Sequence, residues 1–279
     1  MDIKPLVSVI ITTKNNASTL GFLLKSTKKQ TYKNIEILVV DNFSTDQTIE
    51  IAKKYTSKVF QKGPERSAQR NFGAKKAKGK YLFILDSDMV LEKDVVAGCV
   101  EKCEKENSKD IIVGGLIVPE RSFGKGFWAK AKILEREINR DREYFEAARF
   151  FPKRIFQAIG GYDENLTGPE DWDLPFRIKK NYQIGRVENY ILHNEGRLTL
   201  LGLAKRKYYY GFSVHKYLTK QNISVFSPVT IYFLRPAFYY NWKKIFAHPE
   251  ITLGMIIMLA VETIGGGLGY LVGRFKGGK

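Results

Sequence analysis

Three short apolar runs stop abruptly on polar side chains, and each is followed by a helical pattern. That alternation constrains the chain more than any other feature. The runs are Val7 to Thr12, Ile35 to Val40 and Tyr81 to Leu85. Tyr81 to Leu85 is too uniformly apolar for a half-wet strand and reads as buried on both faces of a sheet, Ile35 to Val40 reads as a second buried strand, and Val7 to Thr12 as a strand. The first ends in the polar loop Thr13-Lys14-Asn15-Asn16, the second at Asp41-Asn42 and the third at Asp86-Ser87-Asp88. Leu20, Leu23, Leu24 and Thr27 recur at helical spacing behind Ser18, which is read as the helix cap. Asp46 is expected to cap a helix carrying Ile49 and Ala52, Val59-Phe60 is a short strand candidate, and residues 65–78 read as a helix closed by Gly79. Val96, Cys99, Val100 and Cys103 mark a further helix face, and residues 110–114 a further strand. Roughly the first 115 residues are therefore a β-α repeat, predicting an α/β fold with a parallel sheet and helices on both faces.

The second half is less regular. Residues 127–147 predict a charged helix, Arg149-Phe150-Phe151 a short strand, and Gly160 to Asp163 a turn. Glu170 to Lys179 predicts a helix, 183–187 and 190–193 short strands, and 198–219 a basic, aromatic helix. The segment 223–241 is apolar but broken by Pro228, Arg235 and Pro236. Residues 251–273 carry one charge, Glu262, and a glycine run from Gly265 to Gly269. That length suffices to cross a bilayer, but the mid-span carboxylate and the glycines favour an interfacial or membrane-embedded pair of helices. Lys243, Lys244, Arg274, Lys276 and Lys279 flank it and suit anionic headgroups. The expected division is a catalytic domain over 1–220 and a helical membrane-association segment over 221–279.

Charge narrows the partners. Lys and Arg number 46 against 29 Asp and Glu, a net +17 that attracts nucleic acid, an anionic membrane face or phosphorylated substrates. Cys99 and Cys103 are spaced as core-facing thiols, which fits a reducing, cytoplasmic compartment, and the amino terminus has no secretory character. The three strand ends fall on one edge of a parallel sheet, where such folds bind ligands. Asp41 there can accept from a base or ribose, while Asp86 and Asp88 lie nearer phosphates. Paired carboxylates at such a place call for a hard divalent cation holding phosphate oxygens, although the plain alternative is that they cap the next helix. There is no Gly-x-Gly-x-x-Gly after the first strand and no Gly-x-x-x-x-Gly-Lys-Ser/Thr, which excludes the dinucleotide and P-loop solutions. The Gly-rich basic loop of a nucleotidyltransferase is missing as well.

Taken jointly, five motifs are specific. Val7-Ser-Val-Ile-Ile-Thr-Thr13, Val40-Asp41-Asn-Phe-Ser44-Thr-Asp46-x-Thr48, Arg70-Asn71-x-Gly73, Leu85-Asp86-Ser-Asp88 and Glu170-Asp171 stand in the order seen in glycosyltransferase family 2. The chain resembles that family over roughly residues 5–200. The resemblance implies the GT-A fold and an inverting transfer from a nucleotide-sugar. It implies that Thr13, Asn15 and Asp41 serve the nucleotide, that Asp88, with Asp86 beside it, binds nucleotide and a divalent metal (Mn²⁺ or Mg²⁺), and that Asp171 is the catalytic base. An ordinary acidic first turn is the bland account of Glu170 and Asp171. The resemblance also places Arg149 and Glu120 beside the donor sugar or diphosphate, and brings a histidine from the region of His193 to the metal. Internal ion pairs and a structural histidine are the alternatives. Arg66 and Arg70 lie on a helix within reach of the diphosphate, and Trp172 offers a flat surface to a sugar.

Lys205, Arg206 and Tyr209 belong to a basic, aromatic stretch that nucleic-acid binders also use. With an apolar tail following, it is read as a surface for a lipid phosphate or lipid-linked acceptor, and no nucleic-acid partner is expected. The Gln-x-x-Arg-Trp pattern of processive synthases is absent. The expected activity is transfer of one sugar, from a UDP-sugar in preference to a GDP-sugar, to a hydroxyl of a polyprenyl-linked or surface glycan at the cytoplasmic face of the membrane. A polyprenyl-phosphate acceptor is the alternative. A non-catalytic nucleic-acid or membrane binder is the alternative of another class.

Overall fold

The computed structural model describes residues 4–107, 112–140, 146–228 and 230–276. The first elements are β1 (Val7–Thr13), α1 (Ala17–Lys28), β2 (Ile35–Asp41), α2 (Thr48–Lys53), β3 (Val59–Gln61), α3 (Arg66–Lys76) and β4 (Tyr81–Asp86). They are followed by β5 (Met89–Leu91), α4 (Val95–Asn107), β6 (Val113–Ile117), β7 (Glu120–Phe123), α5 (Phe127–Asn139), β8 (Ala148–Pro152) and α6 (Lys153–Ala158). The chain then forms α7 (Glu170–Ile178), β9 (Gln183–Arg186), β10 (Ile191–Asn194), α8 (Leu200–Gln221), α9 (Pro236–Tyr240), α10 (Trp242–Ala247) and α11 (Pro249–Lys276). Of the strand expected at 110–114, residues 110 and 111 lie outside the described residues, as do 141–145 of the expected helix at 127–147, and Lys279.

The chain divides into two units. One comprises Met1–Arg121, Glu146–Glu164 and Asp171–Asn194, the other Ser122–Phe145, Asn165–Glu170 and Glu195–Lys279. The first unit is built on a seven-stranded sheet ordered β3-β2-β1-β4-β8-β6-β9, and a three-stranded sheet is ordered β5-β10-β7. In the large sheet β3, β2, β1 and β4 are mutually parallel, and β6 pairs parallel with β9. The sheet is thus mostly parallel, as expected, and the β-α repeat of the first 115 residues supplies its parallel core. β8 runs antiparallel to both β4 and β6, because it arrives after β7 and α5 and not through a direct βα crossover.

The alternation of side chains along each strand sorts the core into two layers. Val7, Val9 and Ile11 of β1 with Phe83 and Leu85 of β4 face Leu20, Leu23 and Leu24 of α1 and Val96, Cys99 and Cys103 of α4. Ile10, Leu38, Val40, Leu82 and Ile84 face Ala74 of α3, Phe156 of α6 and Leu174 and Ile178 of α7. The two cysteines are free, buried thiols, and burial, with the Glu104 carboxylate adding, pushes the Cys103 thiol up to about 12.

One expected cap is corrected. Ser18 lies inside the first turn of α1, and Asn16 flanks the helix instead. The acceptor that serves the helix start is Asp46, whose Oδ2 takes the Ala17 amide at 3.1 Å while its Oδ1 takes the Thr48 amide at 3.0 Å. One carboxylate thus starts both α1 and α2, and an ionised acceptor outcompetes a hydroxyl for that work.

The second unit is helical. Ala131 and Ile138 of α5, Leu203 of α8, Tyr232, and Met255, Met258 and Leu259 of α11 form its core. Residues 249–276 form one continuous helix, through the glycines expected to weaken it. Gly265, Gly269 and Gly273 are not breakers: they lie against the backbone carbonyls of Ala204, Tyr208 and Phe212 of α8. A Cβ at Gly265 would stand 2.5 Å from the Ala204 oxygen, so the close approach requires hydrogen at that position.

Candidate active site

The carboxyl ends of β1, β2 and β4 lie side by side, with Thr13 opposite Asp41 and Thr12 opposite Asp86. Gln69 of α3 fixes this edge. Its buried amide donates to the carbonyls of Thr13 at 3.0 Å and Val40 at 2.6 Å, satisfying backbone groups where the strands splay apart.

The polar groups there form one chain of alternating charge. Arg70, wholly buried on α3, donates from one guanidinium nitrogen to Asp171 Oδ1 at 2.7 Å and from another to Asp86 Oδ1 at 2.9 Å. Arg149 of β8 reaches the other oxygen of Asp86 at 3.3 Å and donates through Nε to Glu120 at 2.8 Å. Glu120 Oε2 lies 2.7 Å from His193 Nδ1, and His193 Nε2 lies 3.6 Å from Asp88 Oδ2. Residues from β4, α3, α7, β7, β8 and β10 are thus linked by hydrogen bonds from Asp171 to His193, with Asp88 standing beyond at 3.6 Å. The plane of Arg70 also lies 4.9 Å over the Tyr162 ring. Asn71 clamps that ring's backbone, donating to the Tyr162 carbonyl and accepting from its amide, both at 2.9 Å.

Electrostatics follow from this geometry. Burial would raise the Asp86 carboxyl, but the charges of Arg70, Arg149 and Arg66 and the Arg70 hydrogen bond hold it well below the usual carboxylate range. Burial likewise opposes the Arg149 charge, and Glu120, Asp86 and Asp171 more than restore it. Burial pushes the Tyr162 phenol up. The four carboxylates of the cluster, Asp86, Asp88, Glu120 and Asp171, outnumber its two buried arginines.

Two polar atoms at this edge are unfinished. Asp88 Oδ1 and Thr13 Oγ1 are buried and have no hydrogen-bond partner among the described residues. Buried polar atoms without partners are costly, and a ligand is one way to satisfy them. No group of three or more His, Cys, Asp or Glu side chains among the described residues is arranged to hold a metal ion on its own. What exists is narrower: one carboxylate with an open oxygen, beside an imidazole whose Nδ1 faces Glu120. In the neutral form Glu120 takes the Nδ1 proton, leaving the Nε2 lone pair turned toward Asp88. That fits a divalent ion completing its shell with phosphate oxygens, since such ions need only one or two protein carboxylates.

The other expected site residues are placed as follows. Asp41 is fully buried, and its carboxylate accepts from the Ser44 amide at 2.7 Å and from the Ser44 hydroxyl, so it closes the turn after β2. Asn15, at φ 49°, locks the facing loop, donating its amide to Ser44 at 2.7 Å and accepting from Thr45 at 2.8 Å. Arg66 begins α3 half-buried, and Trp172 is half-buried on α7. In the second unit, Glu170 is buried and one of its carboxylate oxygens accepts from the Gly168 amide at the approach to α7. Lys205, Arg206 and Tyr209 lie on α8, with Tyr209 half exposed.

Sequence reasoning missed Gln69, Tyr162 and Phe43. The first two sit in or beside quoted motifs, but their roles depend on partners remote in sequence. Phe43 is exposed and held at φ 52°, a conformation few bulky residues adopt. Lying between Asp41 and Ser44, it offers a flat apolar surface at the edge where Thr13 is unfinished.

Residues 8–161 match the description Glycosyl transferase family 2. An uncharacterized glycosyltransferase of Rickettsia prowazekii is 31% identical over 187 residues, 62% of this chain and 58% of that protein. The poly(ribitol-phosphate) beta-N-acetylglucosaminyltransferase TarP of Staphylococcus aureus is 35% identical over 148 residues, 47% of this chain and 45% of TarP. The chain thus spans about half the length of these two relatives. Among solved structures, the mannosyltransferase PcManGT of Pyrobaculum calidifontis, in complex with GDP-Man and Mn2+, superposes with a TM-score of 0.59 at 16% identity, covering 99% of this chain and 80% of that one. S. aureus TarS 1-349 in complex with UDP-GlcNAc superposes with a TM-score of 0.54 at 17% identity, covering 97% and 92%. These likenesses establish the GT-A type of fold.

Proposed function

The chain belongs to glycosyl transferase family 2, and from that premise we propose that it moves one sugar from a nucleotide-sugar to an acceptor hydroxyl, inverting the anomeric carbon. The observation that carries this reading is the Arg70 guanidinium bonded to Asp86 and Asp171 at once. It joins the edge where a donor diphosphate would lie to the carboxylate expected to act as base.

In this account Thr13, Phe43 and the Asp41–Ser44 turn receive the nucleoside. Asp88 and His193 are the residues that would hold a divalent ion, which when bound spreads the charge of the leaving diphosphate. Arg149, anchored by Glu120, presents its remaining guanidinium edge toward the sugar phosphate. Asp171, fixed in orientation by Arg70 yet one-fifth exposed, accepts the proton of the acceptor hydroxyl. The acceptor oxygen then bonds to the anomeric carbon as the bond to the diphosphate breaks, and the nucleoside diphosphate departs with that electron pair.

A UDP-sugar is the proposed donor, supported by the 35% identity to a relative named as an N-acetylglucosaminyltransferase. The proposed acceptor is a lipid-linked or surface glycan at a membrane, with the transfer chemistry in residues 1–220 and membrane association in 221–279. A polyprenyl phosphate is the second acceptor reading, favoured by the basic α8 and the apolar α11. It would already be ionised and would need no base. Screening UDP- and GDP-sugars for thermal stabilisation with Mn²⁺ present tests the donor assignment. A rise in Tm with a UDP-sugar, abolished by chelator, supports it. No stabilisation by any sugar nucleotide would remove it.

A further inference from the structure

α11 has two apolar faces, and only one of them is covered. Its inner face, through Met255, Met258, Leu259 and the glycines, is buried in the second unit. Its outer face runs the length of the helix at i, i+3, i+4 spacing and is exposed: Leu253, Ile257, Ile264, Leu268, Leu271 and Phe275. Between Ile251 and Gly273 that face carries no charge. A surface helix of a water-soluble unit shows the reverse pattern, polar outside and apolar inside. An exposed apolar stripe of this length marks an interaction surface.

We propose that α11 lies flat in the headgroup region of an anionic bilayer leaflet, buried by its outer face, and does not cross the membrane. This deepens the membrane-surface part of the proposed function. Length alone does not decide between the two placements. From Glu250 to Arg274 the helix rises about 36 Å, enough to span a hydrocarbon core of about 30 Å. What decides is the inner face. Glu262 is fully buried and accepts from Lys132 of α5 at 2.9 Å and 3.1 Å and from the Tyr232 hydroxyl at 3.2 Å, with Lys207 of α8 at 3.7 Å. Gly265, Gly269 and Gly273 hold the α8 backbone in direct contact alongside. Crossing the bilayer would therefore carry Lys205, Arg206 and Lys207 of α8 into hydrocarbon together with α11, or tear the two helices apart. Lying flat costs neither, since every charge remains on the water side.

The surroundings of the stripe agree on the occupant. Tyr239, Tyr240, Trp242 and Phe246 are exposed just ahead of α11, the aromatic types that settle at headgroup level. Lys243 and Lys244 sit among them and Arg274 at the far end, so the charge complement is an anionic lipid surface.

The test uses the full chain with sealed vesicles, either phosphatidylcholine alone or phosphatidylcholine mixed with phosphatidylglycerol. Flotation is expected to show binding at least about tenfold tighter to the anionic vesicles. Ile264→Asp and Leu268→Asp, on the exposed face, should lose that binding at unchanged Tm. The variants Glu250→Cys and Arg274→Cys, each made separately, then locate the ends, because the native Cys99 and Cys103 are buried and contribute little label. A membrane-impermeant maleimide added outside should label both positions before detergent. One position labelled only after detergent would show a span and overturn the proposal. A soluble dimer that ignores vesicles and is dissociated by Leu268→Asp would overturn it in favour of a second copy on the stripe. Vesicle binding is read without any donor, so its failure and the failure of the transferase reading are separate results.

Discussion

Each unit buries a cluster of opposite charges, and the two clusters are finished differently. In the helical unit Glu262 is sealed: its side chain is 0% exposed, and Lys132, Lys207 and Tyr232 converge on it. Glu135 is closed in the same way by Lys132 at 3.3 Å and Arg235 at 3.5 Å. In the sheet unit Arg70 and Arg149 are as deeply buried, but the carboxylates at the two ends of the chain are not, with Asp171 20% and Asp88 36% exposed. Asp88 Oδ1 also lacks a hydrogen-bond partner. The same side-chain types thus serve a closed joint in one place and an incomplete receptor in the other. What separates them is the exposure of the carboxylates at the two ends of the chain, not the presence of buried charge.

Substitutions should break the two clusters in different ways. Arg70→Met has the largest expected effect, because it leaves Asp86 and Asp171 uncompensated together. Urea unfolding should show a loss of about 3–5 kcal/mol, with transfer abolished. Glu262→Gln should cost about 2–3 kcal/mol through the lost charged hydrogen bonds, yet leave transfer per folded molecule unchanged. Loss of turnover at full stability would mean that the helical cluster is not merely a joint. Asp88→Asn should leave the urea midpoint where it was, since Oδ1 has no partner to lose. Titration should show its Mn²⁺-dependent donor affinity down about 10- to 100-fold, and His193→Ala should behave likewise. Lys80→Ala, which removes an exposed pair with Glu104, should change stability by less than about 1 kcal/mol and set the floor for the series.

Acidification sharpens the contrast further. The folded Asp86 carboxyl is held below its unfolded value, so the unfolded chain takes up the proton first. Its stabilisation is complete above the unfolded carboxylate value of about 3.9 and is lost as pH falls through the lower, folded value. Asp86→Asn should flatten that acid limb in a Tm-against-pH series. An unchanged limb would show that Asp86 is not held as the Arg70 and Arg149 geometry requires.

Much of the sheet was legible in the sequence for a simple reason. β1, β2 and β4 are largely buried, and such strands are spelled as mostly apolar runs whose polar ends stand out. The carboxylates Asp86 and Asp88 were legible because they interrupt one of those runs. The direction of β8 was not, since Arg149-Phe150-Phe151 reads the same whichever way it pairs. Nor was the bridging position of Arg70, because its partner Asp171 is 101 residues away and no local pattern reports it. The glycines of α11 misled for a related cause. Intrinsic propensity penalises each by about 1 kcal/mol in a helix, but contact with the α8 backbone reverses their meaning. Ser18 was preferred as a cap on local grounds, while the effective acceptor, Asp46, lies across a turn.

The central claim is that the open cluster is a sugar-transfer site with Asp171 as its base. The most direct measurement is transfer to an acceptor hydroxyl by Asp171→Asn, with Tm recorded alongside and the donor that stabilises the parent protein. The account predicts a fall in kcat of about 100- to 10,000-fold with donor stabilisation retained. Transfer at the parental rate by the folded Asp171→Asn protein would contradict it.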